Sequence, residues 1–373
     1  MSKSSEKVAW VAIDTLERFM VDVFKGAGVP EEEARICADV LITADKRGID
    51  SHGISRLKPI YYDRIKAGIQ SPITKVEIIK EGPTSAVIDG HNGMGQVIAK
   101  RSMALAIEKA KKMGMGMVVV RNSTHYGIAG YYLLMAVEAG MIGITGTNAR
   151  PSIAPTFGIE NMLGTNPLTF GFPTDEEFPF ILDCATSITQ RGKIEVYDRE
   201  GKDIPSGWVI GEDGKARTDT HQILYDLKIG KAALAPLGGI GEETAGYKGY
   251  GYATVVEILS AALQNGKYLK MLSDIQDGGK VPINLGHFFI AINIPSFIEL
   301  DIFKKITGDI LRALRSSKKA PGAERIYTAG EKEYLAWLER KEKGIPINEN
   351  LQQEILGLKE ELALHQYRFP FEK

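Results

Sequence analysis

The chain reads as an α/β protein of non-Rossmann type with helical segments at both ends. Three observations lead there. Up to about residue 66 the apolar residues recur only at helical spacing; from about residue 84 strand-like and helix-like runs alternate; after Pro295 the helical pattern returns. The glycine clusters in the alternating part do not spell the fingerprint of a doubly wound sheet.

Residues 5–26 predict an amphipathic helix, with Val8, Val11, Leu16, Phe19 and Val23 on one face and Gly26 as its stop. "VPEEEARICADVLITADKRG" predicts a second helix. Pro30 opens it, three glutamates fill its first turn, Ile36, Val40 and Leu41 form the apolar face, and Gly48 closes it. "HGISRLKPIYYDRIKAG" carries Ile54, Leu57, Tyr61 and Ile65 at helical spacing, but Pro59 argues against a regular helix. Asp50 or Ser51 would cap its start. If residues 52–56 are helical, His52 and Arg56 share one face.

The alternating part begins with "TSAVIDG" as a strand and "GQVIAKRSMALAIEKAKKMG" as a helix. "MGMVVVRN", "IAGYYLLMAVEAG" and "MIGITGTN" follow as strand, helix and strand, then "LTFGFPT" and "PFILDCAT" as two more strands. "GYATVVEILSAALQNG" is a helix and "GHFFIAINI" a strand; from Pro295 helix is expected through Leu362. There is no internal repeat and no low-complexity segment.

With 373 residues, 44% hydrophobic and 25% charged, the chain has material for a sizeable core and for two lobes. A net charge of -1, with basic and acidic residues intermixed, lacks the footprint of a nucleic-acid binder. Cys37 and Cys184 stand outside any CxxC pattern, which favours a reducing compartment. "MSKSSEKVAW" has no signal-peptide pattern, and no run reaches the roughly 18 apolar residues of a membrane span. A cytoplasmic protein without a membrane partner is expected. Plentiful lysine and glutamate lean toward a thermophilic source.

Three glycine clusters invite a dinucleotide-binding reading: "GHNGMG" (Gly90, Gly93, Gly95), "GGIG" (Gly238, Gly239, Gly241) and "GYKGYG" (Gly246, Gly249, Gly251). The first follows a strand and precedes a helix, but its spacing is reversed. The next strand ends in Arg121 and Asn122 where the fingerprint wants an acid. Taken singly, each cluster reads as a turn or a close-packing position.

The loops are more informative. "RNSTHYG" holds Asn122, Ser123, His125 and Gly127; "GTNARPS" holds Asn148 and Arg150; "LGTNP" holds Thr165 and Asn166; "DCATS" holds Asp183, Thr186 and Ser187; "RGK" adds Lys193. Strand ends of α/β proteins are where ligands bind. Each residue also has a plain role open to it: His52 or Asp183 at a helix end, His125 bonded to backbone, Arg56 in a surface ion pair, Asn166 in a turn before Pro167. Metal is not expected, because the six histidines show no HxH or HExxH spacing. A Ser-His-Asp triad is not expected either: there is no G-x-S-x-G, and the neighbours of "DSH" diverge.

Taken together, "DSHGISRL", "NSTHYGIAGYY", "GTNP", "DCATS", "RGKIE" and "GYKGYG" resemble, in order and context, the malate/L-lactate dehydrogenase family. Sulfolactate and ureidoglycolate dehydrogenases and related imine reductases belong to that family, which is distinct from the Rossmann-type malate and lactate dehydrogenases. The resemblance extends from the first helix to "PGAERIY". It implies a largely antiparallel or mixed sheet in a nucleotide-binding domain (residues 83–297). A helical domain would be built from residues 1–82 and completed by helices in 298–373. The resemblance also implies a homodimer with the active site near the subunit interface.

The activity it implies is NAD- or NADP-dependent hydride exchange between a 2-hydroxy and a 2-oxo acid, malate foremost. Histidine suits the proton transfer and arginine grips a carboxylate in bidentate fashion. His52 and His125 are the candidates for proton transfer, Arg56 for the carboxylate, and Ser51 for a substrate neighbour. By the same resemblance the cofactor side comprises Asp183, Ala185, Thr186, Ser187, Lys193, Tyr247, Lys248, Gly322 and Glu324. Asn148, Thr165, Asn166 and His125 would line the pocket. Arg150 stands where many relatives carry a small residue. It is either a second carboxylate contact, favouring a diacid, or a surface residue. A non-catalytic nucleotide-binding protein and a metal-dependent lyase are the alternatives from other classes. His52, Arg56 and His125 argue against the first, and the missing ligand cluster against the second.

Overall fold

The computed structural model describes residues 8–276 and 278–372. The first three residues of the helix expected over 5–26 lie outside the described residues. Beyond them the expectation needs correction: Ala9–Val11 form strand β1, and helix α1 runs Ile13–Gly26. The cause lies at the other end of the chain, where Ala9, Trp10 and Val11 pair antiparallel with Ile347, Pro346 and Ile345. Ala12, at φ -57 and ψ 135, separates strand from helix. Helix α2 (Glu31–Lys46) starts behind Pro30, with Glu31, Glu32 and Glu33 at the positive end of its dipole. After a bend the chain continues as a 3-10 turn (Ile54–Arg56), a π-type turn (Leu57–Tyr62) and α3 (Asp63–Lys66). Pro59 sits in the π-type turn, where its missing N–H disturbs no regular ladder.

The next elements are β2 (Glu77–Glu81), β3 (Ser85–Asp89), α4 (Gly95–Met113) and β4 (Met115–Ser123). They are followed by α5 (Gly130–Glu138), β5 (Met141–Thr147), β6 (Leu168–Phe172) and β7 (Phe180–Leu182). An excursion through α6 (Arg191–Arg199), β8 (Val209–Gly211), β9 (Ala216–Arg217), α7 (Thr220–Ile229) and β10 (Ala232–Leu234) makes a small sheet of order β10-β8-β9. Then come α8 (Gly246–Ala261), the hairpin β11 (Ile275–Gln276) and β12 (Gly279–Lys280), and β13 (Leu285–Asn293).

The main sheet has the order β2-β3-β4-β13-β5-β6-β7. β3 and β4 are parallel; every other neighbouring pair is antiparallel. The sheet is therefore mixed, and its order is not that of a doubly wound fold. β13 is inserted at the centre, and its Phe288 and Phe289 are fully buried. Ile98, Ala99 and Met103 of α4 pack with Val118, Val120 and Phe289 on one face, and Val256 of α8 meets Val119 and Phe288 on the other.

The last part holds α9 (Leu300–Ser316), α10 (Glu331–Lys343), β14 (Ile345–Ile347) and α11 (Glu349–Glu361). The helix expected from Pro295 through Leu362 is thus broken by residues 317–330 and by a strand. Gly344 turns the chain at φ +90, and a Cβ there would stand 2.3 Å from the Val11 carbonyl oxygen. Ile355, Leu358, Tyr367 and Phe369 share one core with Leu16, Phe19, Phe24 and Leu41. Phe19 meets the rings of Tyr367 and Phe369 edge-on, at 5.4 and 5.3 Å. Met94, just before α4, and Val97 of α4 reach into this core, while Val40 and Ala44 of α2 reach into the sheet-side core. That interlock sets the bend after α2 against the ends of the strands.

Candidate active site

The bend that carries "DSHGIS" has a structural reason for its glycine. Asp45, buried at the end of α2, accepts a hydrogen bond from the Ile54 N–H at 2.8 Å. A Cβ on Gly53 would lie 1.8 Å from Asp45 Oδ1. The glycine lets the carboxylate tie the 3-10 turn to α2, and this fixes Ser51 and His52 just before it. Burial pushes the Asp45 carboxyl well above the usual range, against the pull of the Ile54 N–H.

His125 is set by a second close approach. A Cβ on Gly95 would stand 2.4 Å from the carbonyl oxygens of Thr124 and His125, and the Gly95 N–H donates to Thr124 Oγ1 at 2.9 Å. "GHNGMG" is thus a close-packing cluster, which seats α4 under the loop of His125. The His125 ring lies 5.8 Å from that of His52, with 23° between the planes. Its Nδ1 is 2.6 Å from the Tyr61 hydroxyl, and the Gly127 N–H donates to it at 3.3 Å. His52 Nδ1 is 2.8 Å from Ser51 Oγ. Burial, and then the Arg56 charge, push the His52 imidazole down to about 4. Burial first, and next His52, hold His125 well below the usual range. Both rings are neutral at pH 7, with Nε2 unengaged among the described residues.

Both histidines open onto a cleft of about 280 Å³. Ser51, Thr147, Asn148, Thr165, Asp183, Ala185 and, from α10, Glu333 also line it. Asn148 is pinned by a bond from its Nδ2 to the Lys267 carbonyl (3.1 Å) and one from the Gly286 N–H to its Oδ1 (2.8 Å). Asp183 Oδ2 accepts from the Gly130 N–H at 2.6 Å; burial nevertheless pushes its carboxyl up to about 6, opposed by that bond and by Arg47. Tyr126, in the wall, stacks on His287 at 4.5 Å and 2°. His287 Nδ1 lies 2.8 Å from Thr147 Oγ1, and burial pushes it down to about 3.

Other expected site residues lie elsewhere. Asn166 is buried beneath the floor, its Nδ2 donating to the Ala253 carbonyl (3.1 Å) and to Glu257 (2.7 Å). Thr186 Oγ1 donates to the Asn166 carbonyl at 2.9 Å. The Oγ of Ser187 and the Oγ1 of Thr189 are buried and without a hydrogen-bond partner among the described residues. Arg56 does not line the cleft; its Nε donates to the Ser51 carbonyl, and no other hydrogen bond or ion pair engages its guanidinium among the described residues. Lys193, on α6, is exposed and lies over the Tyr197 ring at 5.4 Å. Tyr247 and Lys248 are exposed in the first turn of α8. Gly322 and Glu324 are exposed in the loop between α9 and α10. The glycines of "GYKGYG" serve packing first: a Cβ on Gly246 or Gly249 would stand 1.9 Å from the Gly239 or 2.1 Å from the Leu237 carbonyl oxygen.

Tyr61 and Glu333 are among the site residues that escape the sequence reading. Tyr61 takes its place in an apolar helical stripe, and only the fold shows its hydroxyl on His125. Glu333 sits in a run of charged residues indistinguishable from a solvated helix face, and no local signal sets it apart.

Known proteins resemble this chain over nearly its whole length. The chain is 48% identical to a malate dehydrogenase of Pyrococcus horikoshii, covering 92% of each chain. It is 39% identical to an L-sulfolactate dehydrogenase of Methanocaldococcus jannaschii, covering 94% of this chain and 96% of that one. Among solved structures, a malate dehydrogenase from Entamoeba histolytica superposes with a TM-score of 0.92 at 47% identity, covering 98% of this chain and all of that one. Residues 11–356 match the malate/L-lactate dehydrogenase family, to which this chain belongs as an oxidoreductase acting on a hydroxy acid.

Proposed function

We propose that the enzyme interconverts malate and oxaloacetate with NAD or NADP, as a cytoplasmic homodimer. The observation that carries this reading is the pair of neutral histidines stacked at the cleft, one of them held by a tyrosine hydroxyl. A neutral imidazole accepts the proton of a 2-hydroxyl group; the protonated ring returns it to the oxygen of the 2-oxo acid. His125 is the proton-transfer group in this account. Its Nδ1 faces a hydroxyl that either donates or accepts, so the ring stays aligned in both protonation states. His52, oriented by Ser51, hydrogen-bonds the same substrate oxygen. Although Arg56 does not line the cleft, both its terminal nitrogens are without a partner among the described residues, a fork suited to the C1 carboxylate.

The nicotinamide supplies the hydride acceptor and donor. The residues after β7 fit such a group. Asp183 and Ala185 line the cleft, and the hydroxyls of Ser187 and Thr189, unpartnered among the described residues, lie on the same run. Thr186, Asn148, Thr165 and Asn166 shape the floor. Lys193, Tyr247, Lys248, Gly322 and Glu324 are assigned to the cofactor by family correspondence. Support for the homodimer comes from α9, whose Ile302, Ile306, Ile310 and Leu314 form an exposed apolar stripe.

The test follows the near-ultraviolet absorbance of reduced nicotinamide with malate, lactate, sulfolactate and ureidoglycolate in turn, using each cofactor. Turnover of malate above the others is expected. Preference for another acid would remove the malate assignment and keep the chemistry. No turnover of any acid in either direction would overturn the reading.

A further inference from the structure

Helix α10, near the end of the chain, reaches both walls of the cleft. Its first turn docks on the strand that leads to Asp183. Gly330 stands at φ +91, where a Cβ would lie 2.6 Å from the Pro179 carbonyl oxygen, and the Ile181 N–H donates to the Ala329 carbonyl at 3.4 Å. The Tyr334 hydroxyl donates to Glu177 at 2.6 Å, and its ring stacks on Phe178 at 5.3 Å. The buried Glu331 carboxylate accepts from Arg325 and from the Thr328 N–H. From this anchor the helix passes the cleft, which Glu333 lines, and arrives at the bend of His52. A Cβ on Gly48 would stand 2.9 Å from the Ala336 Cβ. One turn further, both terminal nitrogens of Arg340 donate to the Asp50 carboxylate, Nη2 at 2.9 Å, and Nη1 also donates to the Asp45 carbonyl. Glu333, Ala336 and Arg340 are three and four residues apart, so one face of α10 makes all these contacts.

Asp50 reads in the sequence as a cap, but it does not cap the 3-10 turn, which starts behind Gly53 without a side-chain cap. Its carboxylate goes to Arg340 instead. Its carbonyl accepts from Ser55 Oγ at 2.6 Å, and the His52 N–H closes the turn onto the Ile49 carbonyl at 2.9 Å. The bend is thus tied on two sides, by Asp45 to Ile54 and by Arg340 to Asp50. Arg340 is 12% exposed and Asp50 55%. A pair with one partner half exposed contributes little to stability, whereas a bidentate fork fixes orientation. Loss of the guanidinium leaves the Asp45 carbonyl its bond from the Gly48 N–H at 3.1 Å. What the pair governs is therefore the placement of the turn that carries Ser51 and His52.

We propose that Arg340 is a positioning residue of the active site, acting through Asp50 to hold Ser51 and His52 at a set distance from the wall that carries Asp183. Helix α10 is the strut between the two walls: its first turn sits on the strand before Asp183, and its Arg340 end sits on the bend. This inference rests on the dehydrogenase reading above, in which His52 bonds the substrate oxygen. Hydride transfer needs the substrate carbon and the nicotinamide ring in one alignment, so slack between the walls slows the chemical step more than it weakens binding. Arg340 touches neither substrate nor cofactor in this account; its effect reaches the chemistry only through Asp50.

The test is a double-mutant cycle on the full-length enzyme, read as kcat and KM beside Tm. Arg340→Ala is expected to lower kcat about 10- to 100-fold, the scale of a small misplacement in an active site. The KM for the cofactor should stay within about twofold of wild type. Asp50→Ala should lower kcat to a similar extent, and the double variant no further than either single one, because the two residues act as one unit. Arg340→Lys, which keeps the charge and loses the fork, should recover part of the rate. If Arg340→Ala does not fold, Asp50→Asn carries the same kcat readout at the half-exposed partner. Unchanged kcat in the single variants, with a lowered Tm, would make the pair a structural tie and overturn the proposal while leaving the dehydrogenase reading intact. Additive losses in the double variant would overturn it as well. A wild type that turns over no 2-hydroxy acid would remove both.

Discussion

Tyr61→Phe isolates the hydroxyl that holds His125. The Tyr61 ring is fully buried and packs edge-on with Phe24 at 5.9 Å, so phenylalanine keeps the volume and the packing. What disappears is the 2.6 Å bond to Nδ1, leaving that nitrogen, among the described residues, only the Gly127 N–H at 3.3 Å. An N–H cannot accept, so the protonated ring loses its one acceptor. Hydrogen bonds to charged groups contribute ~1.5–3 kcal/mol, and each 1.36 kcal/mol is about tenfold in rate. The expected loss in kcat/KM is therefore about 10- to 100-fold. Stability should fall by only about 1 kcal/mol, because a neutral pair is what the folded resting state loses. The lost acceptor disfavours the imidazolium, so the acid limb of the pH profile for alcohol oxidation moves to lower pH. Steady-state kinetics across pH, with denaturant unfolding of the same preparation, measure all three. A variant with kcat/KM within about twofold of wild type and an unmoved profile would refute the role given to Tyr61.

Other expectations follow from the same contacts. Gly53→Ala drives a Cβ into Asp45 Oδ1, 1.8 Å away; it should cost about 3 kcal/mol and depress turnover by displacing His52, readable as Tm and kcat. Asp183 is raised from 3.8 to about 6, so its contribution to stability is full below pH 3.8 and lost as pH rises through 6. Asp183→Asn should therefore stabilise the fold above pH 6, by at most about 3 kcal/mol, and lose that gain below pH 3.8; equal effects at both ends, by denaturant unfolding, would contradict it. Truncation after Lys343 removes the buried Ile345, Ile347, Ile355, Leu358, Tyr367 and Phe369. At ~1.5–3 kcal/mol each this is on the order of 10 kcal/mol, enough to unfold the helical core and abolish turnover; rapid proteolysis of residues 8–66 would report it.

The legible and illegible parts of this protein divide on physical grounds. Helix α2, strands β3 to β6 and helix α8 appear in the sequence because their signals are local: a capping proline, a glycine stop, a run of branched residues. Strand β1 does not, since three residues fit a helical face equally well and their partners at Ile345–Ile347 lie at the other end of the chain. The insertion of β13 between β4 and β5 is likewise invisible to any window. In the site, Ser51, His52, His125, Asn148, Thr165 and Asp183 stand out as polar residues in loops that follow apolar runs, Ala185 is indicated by the family resemblance alone, and all of them meet in one cleft. Tyr61 was hidden by its ring, which satisfies the apolar pattern while its hydroxyl serves the histidine. Arg150, which does not line the cleft and pairs with Asp274 at 3.1 Å, was undecidable because that partner lies 124 positions away.

The central claim is direct hydride transfer between a 2-hydroxy acid and nicotinamide. It is tested most directly with malate carrying deuterium at C2, incubated with the enzyme and oxidised cofactor, followed by mass spectrometry of the reduced cofactor. The account predicts that the label arrives in the nicotinamide ring in step with oxaloacetate formation. Label released to water, or oxaloacetate formed without label in the cofactor, would contradict it.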